Sequence, residues 1–156
     1  MRPRDIGTRA ETAVVKALRS YGFPLAERRA LAGSHDRGDV LAAPGFVIEV
    51  KAGKQTENPS DATIDQWLKE TRIGADNSDA DLGVLVVRRH GKGDALHWWA
   101  YCDTGTYVGL VTDAVGEYVF HRHNRLLLDD FSRTPVRVPL WSMLRIIRYA
   151  GWGDPL

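Results

Sequence analysis

The chain is poor in cysteine and contains no long apolar run. Cys102 is the only cysteine among 156 residues, which excludes an internal disulfide framework and a cysteine-rich zinc site. A single thiol fits a reducing compartment, so we expect a cytoplasmic protein. No apolar stretch is long enough to span a bilayer and no signal-peptide pattern is visible, so we expect no membrane partner.

An excess of charge of one sign is also lacking. The formal net charge is +1, whereas a strongly basic total is the usual signature of a nucleic-acid binder. The charges are unevenly distributed, because segment 54–81 is acidic and segment 115–150 has three more arginines than carboxylates. A local patch can matter more than the total, so the small net charge does not exclude nucleic-acid binding.

What is present is typical of a globular protein. The chain is 44% hydrophobic and 26% charged, both ordinary values. Its length suits one domain with a real core, and no repeat or low-complexity tract interrupts it. We therefore expect a single domain over 1–156, with a core over about 5–92 and a C-terminal extension over about 93–156.

Hydrophobic periodicity and turn residues predict six elements before residue 92. They are a helix over 8–21, strands over 25–31, 39–43 and 46–52, a helix over 61–73 and a strand over 82–87. Thr8 and Glu11 have capping-box spacing, and Gly74 is the expected end of the second helix. In that helix Ile64, Trp67, Leu68 and Ile73 are expected to point inward. The α-β-β-β-α-β order implies an α/β fold with a mixed sheet flanked by helices.

The C-terminal extension is predicted to be rich in strands and to end in a helix. The expected strands cover 96–101, 107–111 and 118–120, and the helix covers 140–149 with Leu140, Met143, Leu144 and Ile147 on one face. Trp98, Trp99 and Tyr101 are interpreted mainly as core or interface residues. Stacking on unpaired bases is the alternative.

Three charged residues form the most informative group. Glu49 and Lys51 are two apart on a strand and share one face, with Phe46, Ile48 and Val50 on the other. Asp39 lies before the Pro44-Gly45 turn, which can bring it back beside Glu49. Two converging carboxylates and the Val50 carbonyl suit Mg²⁺, and Lys51 can meet a phosphate. The alternative is an interstrand salt bridge.

Other polar residues are candidates with ordinary explanations beside them. Glu11 can complete a metal site or only close the capping box with Thr8. Gln66 can position Lys51 or a phosphate, or lie in solvent. Ser34 and Arg37 lie in a polar loop that can reach a phosphate or simply turn the chain. The basic residues after the fourth strand are either phosphate contacts or a solvated strand end; they are Arg88, Arg89 and Lys92.

These residues resemble the PD-(D/E)XK nuclease superfamily, and within it the archaeal-type and phage Holliday junction resolvases. The likeness covers about residues 7–90. It consists of Gly7-Thr8-Arg9-Ala10-Glu11, Tyr21-Gly22-Phe23, Arg28-Arg29, Ser34, Gly38-Asp39-Val40, Val47-Ile48-Glu49-Val50-Lys51 and Gln66. Gly38 departs from the pattern, since the superfamily often has proline there, and the chain from about residue 93 does not align.

The resemblance implies a restriction-endonuclease-like core and a Mg²⁺-dependent endonuclease, with Mn²⁺ able to substitute. It implies a homodimer that cleaves four-way or other branched DNA in a bacterial, archaeal or phage-infected cell. Glu11, Asp39, Glu49 and the Val50 carbonyl would bind metal, and Lys51 would be catalytic. Supporting or DNA-binding residues would be Ser34, Arg37, Gln66, Arg9 and Arg28. Alternatives are a restriction-type or repair nuclease acting on duplex DNA, and a non-catalytic DNA-binding protein.

Overall fold

A six-stranded mixed sheet with helices on both faces is the centre of the computed structural model, which describes residues 2–30, 37–115 and 130–156. The helices are α1 (Pro3–Ser20), α2 (Asp61–Asn77), α3 (Thr104–Val115) and α4 (Leu140–Tyr149). The strands are β1 (Glu27–Arg28), β2 (Val40–Ala43), β3 (Phe46–Lys51), β4 (Leu82–Val87), β5 (Trp99–Asp103) and β6 (Pro135–Pro139). The predicted α/β architecture with a mixed, helix-flanked sheet is thus confirmed.

The strands lie in the sheet in chain order, from β1 to β6. Four neighbouring pairs are antiparallel, and β3 and β4 are parallel. A parallel pair needs a long crossover, and α2 supplies it between β3 and β4. The order of elements up to Val87 is the expected α-β-β-β-α-β. The segment expected as an extension adds β5 and β6 to the same sheet.

The two faces of β3 have different environments. Phe46, Ile48 and Val50 belong to a buried cluster with residues of α1 and α4. The other face of the sheet meets α2, where Trp67 and Leu68 pack against strand residues of β4 and β5. Glu49 and Lys51 alternate with the first set and therefore lie on the α2 side. The predicted division of β3 into two faces is confirmed.

Several boundaries in the first half differ from the predicted ones. Helix α1 begins at Pro3, because proline is well accommodated at the first helical position. Thr8 is therefore inside the helix, and the predicted capping box is wrong. Strand β1 has only two residues rather than the span 25–31. Helix α2 continues past Gly74 to Asn77, and Ile73 is exposed rather than inward.

The C-terminal part holds the largest correction. Residues 107–111, predicted as a strand, lie in α3, whose Leu110 is buried in the core shared with α4. The predicted strand 96–101 begins only at Trp99, because Asp94 caps a short 3-10 turn by accepting from the Leu96 N–H. Strand β6 was not predicted. Its end residues are prolines, which an edge strand tolerates.

The last helix is as predicted, with its four inward residues fully buried. The expected strand at 118–120 lies outside the described residues. In the described part of the chain, no helix is long and apolar enough to cross a membrane.

Candidate functional site at the start of strand β2 and the end of strand β3

Asp39 is held in place by its backbone and by its side chain. Its N–H donates to the Ile48 carbonyl at 3.0 Å, and its carbonyl accepts from the Arg29 N–H at 2.9 Å. Its side-chain Oδ2 accepts a hydrogen bond from the Val50 N–H at 2.8 Å. The carboxylate therefore lies along β3, beside Glu49, as the hairpin around Pro44-Gly45 predicts.

Lys51 lies between two carboxylates on the α2 face of the sheet. Its Nζ is 2.9 Å from Glu49 Oε1 and 2.6 Å from Glu70 Oε2. Glu49 is only 7% exposed, and burying a carboxylate away from water is costly unless a positive charge accompanies it. The ammonium group of Lys51 meets this need, so the structure shows a salt bridge between Glu49 and Lys51, with Glu70 as a second carboxylate partner.

The protonation state of Lys51 follows from these contacts. Burial by itself lowers its pKa, but the charge of Glu49 and hydrogen bonds to Glu70 and Glu49 outweigh burial and raise the pKa above 10.5. Lys51 is therefore a cation at neutral pH. It can stabilise negative charge on a phosphate, and it cannot serve as a general base in this state.

Glu70 was missed by the sequence reasoning. It lies on α2 four residues after Gln66, so the two side chains share one helix face, and Gln66 Nε2 is 3.5 Å from Glu70 Oε1. The i, i+4 spacing of Gln66 and Glu70 could have identified Glu70 from the sequence. Gln66 is exposed. It contacts Glu70, which in turn contacts Lys51.

Glu11 has a different partner from the other predicted metal ligands. Its Oε2 accepts from Arg28 Nε at 2.8 Å, and Arg28 also approaches the Thr8 hydroxyl at 3.5 Å. Arg28, predicted to support DNA binding, thus links α1 to β1. An ion pair this close to solvent contributes about 1 kcal/mol at most, so it can be exchanged for another partner at small cost.

The remaining predicted residues lie around the site. Arg9 is exposed on α1. The side chain of Arg37 is exposed, while its carbonyl accepts hydrogen bonds from Arg29 and Ser78. Ser34 lies outside the described residues. Arg9 and Arg37 are therefore accessible to a large ligand, and their proposed roles stay predictions.

Two glycines bring α2 close to Asp39. Gly38 has a φ of +78°, which proline cannot adopt because its ring fixes φ near −65°. This accounts for glycine where the resembled superfamily often has proline. A Cβ on Gly74 would lie 3.0 Å from the Gly38 nitrogen, so the helix packs directly on the backbone that leads into Asp39.

No protein-family model, curated protein or solved structure matches this chain. What the site can do therefore follows from its own side chains. These are two carboxylates and one ammonium on neighbouring strands, with a third carboxylate contributed by α2.

The donor set is chemically suited to Mg²⁺. Asp39 and Glu49 supply hard oxygen ligands from adjacent strands, and Mg²⁺ commonly takes one or two carboxylates while keeping several waters. Within residues 2–30, 37–115 and 130–156, no group of three or more His, Cys, Asp or Glu side chains is arranged as a metal site. A metal here would thus rely on Asp39, Glu49 and the Val50 carbonyl, with Glu11 joining only if it leaves Arg28.

Proposed function

We propose that this protein is a Mg²⁺-dependent endodeoxyribonuclease that cleaves phosphodiester bonds in branched DNA. The observation that carries the proposal is the hydrogen bond from the Val50 N–H to Asp39 Oδ2. It holds one carboxylate against the strand that presents Glu49 and Lys51, which is the arrangement expected of the resembled nucleases. The α-β-β-β-α-β order of elements supports the same assignment.

Each residue has a distinct part in this proposal. Asp39, Glu49 and the Val50 carbonyl hold the cation. When bound, Mg²⁺ would neutralise phosphate charge and increase the acidity of a water molecule. Lys51, already protonated, stabilises the additional negative charge that the phosphate gains in the transition state. Glu70 and Glu49 hold the Lys51 ammonium in position until a phosphate arrives.

The preference for branched DNA rests on the resemblance to Holliday junction resolvases. Such an enzyme needs two active sites to nick opposed strands symmetrically, so the proposed form is a homodimer. A restriction-type or repair nuclease would use the same carboxylates and lysine. Substrate geometry, rather than the site, therefore distinguishes the two activities. We propose a cytoplasmic location, where such DNA is found.

The first test is cleavage of a labelled immobile four-way junction and of a linear duplex with the same arm sequences. Wild-type protein in Mg²⁺ should produce paired, symmetric nicks near the junction, and EDTA should abolish them. Asp39→Asn and Glu49→Gln should each abolish cleavage, because each removes a charged metal ligand. Circular dichroism should show an unchanged fold.

Asp113→Asn is the matched control, since Asp113 is exposed on α3 and lies outside the site. It should cleave at the wild-type rate. Retained cleavage in Asp39→Asn or Glu49→Gln would contradict the site assignment. Equal cleavage of the linear duplex would support nuclease activity and contradict the preference for branched DNA. Binding without cleavage under all conditions would favour a non-catalytic DNA-binding protein.

A further inference from the structure

A cleft on the α2 face of the sheet lies beside the candidate catalytic residues and contains none of them. Its volume is about 580 Å³. Its floor is formed by Val87, Trp99 and Tyr101 from β4 and β5, and Arg137 from β6 lines it as well. The opposite wall comes from the start of α2 and the loop before it. The proposed cleavage chemistry does not use this cleft.

Trp99 has an unusual environment within the cleft. Trp98 and Tyr101 are buried, as predicted for core aromatics, but Trp99 is only partly buried. Two guanidinium groups lie over its indole ring, with Cζ of Arg89 4.0 Å and Cζ of Arg137 4.3 Å from the ring centroid. Arg89 follows the end of β4 and Arg137 lies in the middle of β6, so two separate parts of the chain bring positive charge to one aromatic surface.

The register of the sheet relates Trp99 to Lys51. Lys51 pairs with Val87 across β3 and β4, and Val87 pairs with Trp99 across β4 and β5. The three residues form one row across the sheet and point to the same face. Two strand spacings separate Lys51 from Trp99, which is about 10 Å. A single DNA strand can therefore contact both.

The chemistry of the cleft matches an unpaired nucleotide. An indole ring offers a stacking surface for any base, and arginines bind phosphate through charge-assisted hydrogen bonds. The α2 wall carries Asp61 and Asp65, which repel phosphates and can accept hydrogen bonds from a base amino group. The backbone would thus follow the arginine side while the base points toward α2.

We propose that this cleft is a binding subsite for an unpaired nucleotide of the DNA strand next to the cleaved phosphate. Trp99 stacks on the base, and Arg89 and Arg137 move from the ring to the flanking phosphates. The two cation–π contacts that are lost are replaced by one base–indole stack and by charge-assisted contacts of both arginines to phosphate. The inference deepens the proposed function and rests on it for the identity of the ligand as DNA.

The test measures binding of a fluorescent single-stranded deoxycytidine decamer by anisotropy, in EDTA so that no cleavage occurs. Trp99→Ala should weaken binding about 5- to 150-fold, the effect of losing one base stack. Trp99→Phe should retain most of the affinity. Trp141→Ala is the matched control, because Trp141 is a partly exposed tryptophan on α4, which packs on the opposite face. It should bind as wild type does.

Two further variants test the subsite even if Trp99→Ala does not fold stably. Trp99→Leu preserves apolar bulk and should show a comparable loss. Arg89→Ala combined with Arg137→Ala should reduce the slope of log affinity against log salt by about 1.4, since each phosphate contact on a single strand contributes about 0.7. An unchanged slope would contradict the phosphate contacts.

The other outcomes are equally decisive. Wild-type affinity in Trp99→Ala, equal losses in Trp99→Ala and Trp141→Ala, or no binding of the decamer by wild type would each overturn the subsite. Failure of the proposed function looks different. In that case Trp99-dependent binding persists, while Glu49→Gln leaves junction cleavage unchanged or no cleavage is seen at all.

Discussion

At the scale of single residues, the site is decided by how a few charges are paired. Glu49 is buried beside Lys51, and Lys51 is shared with Glu70. An ammonium placed between two carboxylates stays protonated, so its contribution is electrostatic. Asp39 is oriented differently, by a backbone N–H of the neighbouring strand. A phosphate approaching Lys51 would compete with Glu70, the more exposed of its two carboxylate partners.

The raised pKa of Lys51 predicts how its ion pairs respond to pH. Replacing Lys51 by Met should lower the free energy of unfolding by about 2 kcal/mol at pH 7, because a charged hydrogen-bonding partner is lost. A lysine whose pKa is higher in the folded state stabilises fully below its unfolded pKa of about 10.4, and this stabilisation is lost as pH rises through the folded value. Urea unfolding of both proteins between pH 7 and 11 measures the difference.

We expect the difference between wild type and Lys51→Met to be constant at neutral pH and to shrink above about pH 10.5. A difference that stays constant up to pH 11 would show that Lys51 is not ion-paired in solution. Lys54→Met provides a control, since Lys54 is exposed in the following turn. The free energy of unfolding of Lys54→Met should differ little from that of wild type at every pH.

At the scale of elements, α2 packs directly on the backbone that leads into Asp39. The helix has Gly74 where the sequence suggested a stop, but it continues to Asn77, and the glycine allows close contact with the Gly38 backbone. The same helix provides Glu70 for Lys51 and the acidic wall of the cleft. One crossover helix thus contacts the backbone before Asp39, the lysine and the proposed nucleotide subsite.

Gly74→Ala tests this packing. Alanine favours a helix over glycine by up to about 1 kcal/mol, but its Cβ would lie 3.0 Å from the Gly38 nitrogen. Overpacking against backbone costs about 1–3 kcal/mol, so we expect a net destabilisation of about 1 kcal/mol and slower cleavage through displacement of Asp39. Thermal unfolding and the junction assay measure the two effects.

Gly109→Ala is the matched control within a helix. Gly109 lies inside α3, and no described atom is within 4 Å of the position of its Cβ. The substitution should raise stability by up to about 1 kcal/mol through helix propensity alone. If the two variants gained equal stability, the proposed contact between α2 and the Gly38 backbone would be disproved.

At the scale of the whole molecule, the proposed homodimer predicts a measurable mass. Sedimentation velocity at micromolar concentration should give twice the chain mass, because symmetric nicking requires two sites related by a two-fold axis. A junction should then be cut in both strands within one binding event. A monomeric sedimentation profile together with single, unpaired nicks would contradict the resolvase proposal. It would indicate an enzyme that nicks one strand.

Much of the fold could be predicted from the sequence because it is locally encoded. The apolar spacing of α1 and α4 and the continuous apolar run of β4 each reveal an element without knowledge of its neighbours. Helix α3 could not be predicted in this way. Its β-branched residues favour a strand locally, and its helical form accompanies the burial of Leu110 in the core shared with α4.

The candidate site also combines features that are encoded locally with features that arise only from tertiary packing. The sequence by itself determined that Glu49 and Lys51 share a face of β3 and that the Pro44-Gly45 turn returns the chain past Asp39, since both follow from strand period and turn chemistry. Only the tertiary structure decided the contact of Glu70 with Lys51 and the stacking of two arginines on Trp99. These contacts join residues 10 to 40 positions apart, and packing of separate elements, not local backbone preference, creates them.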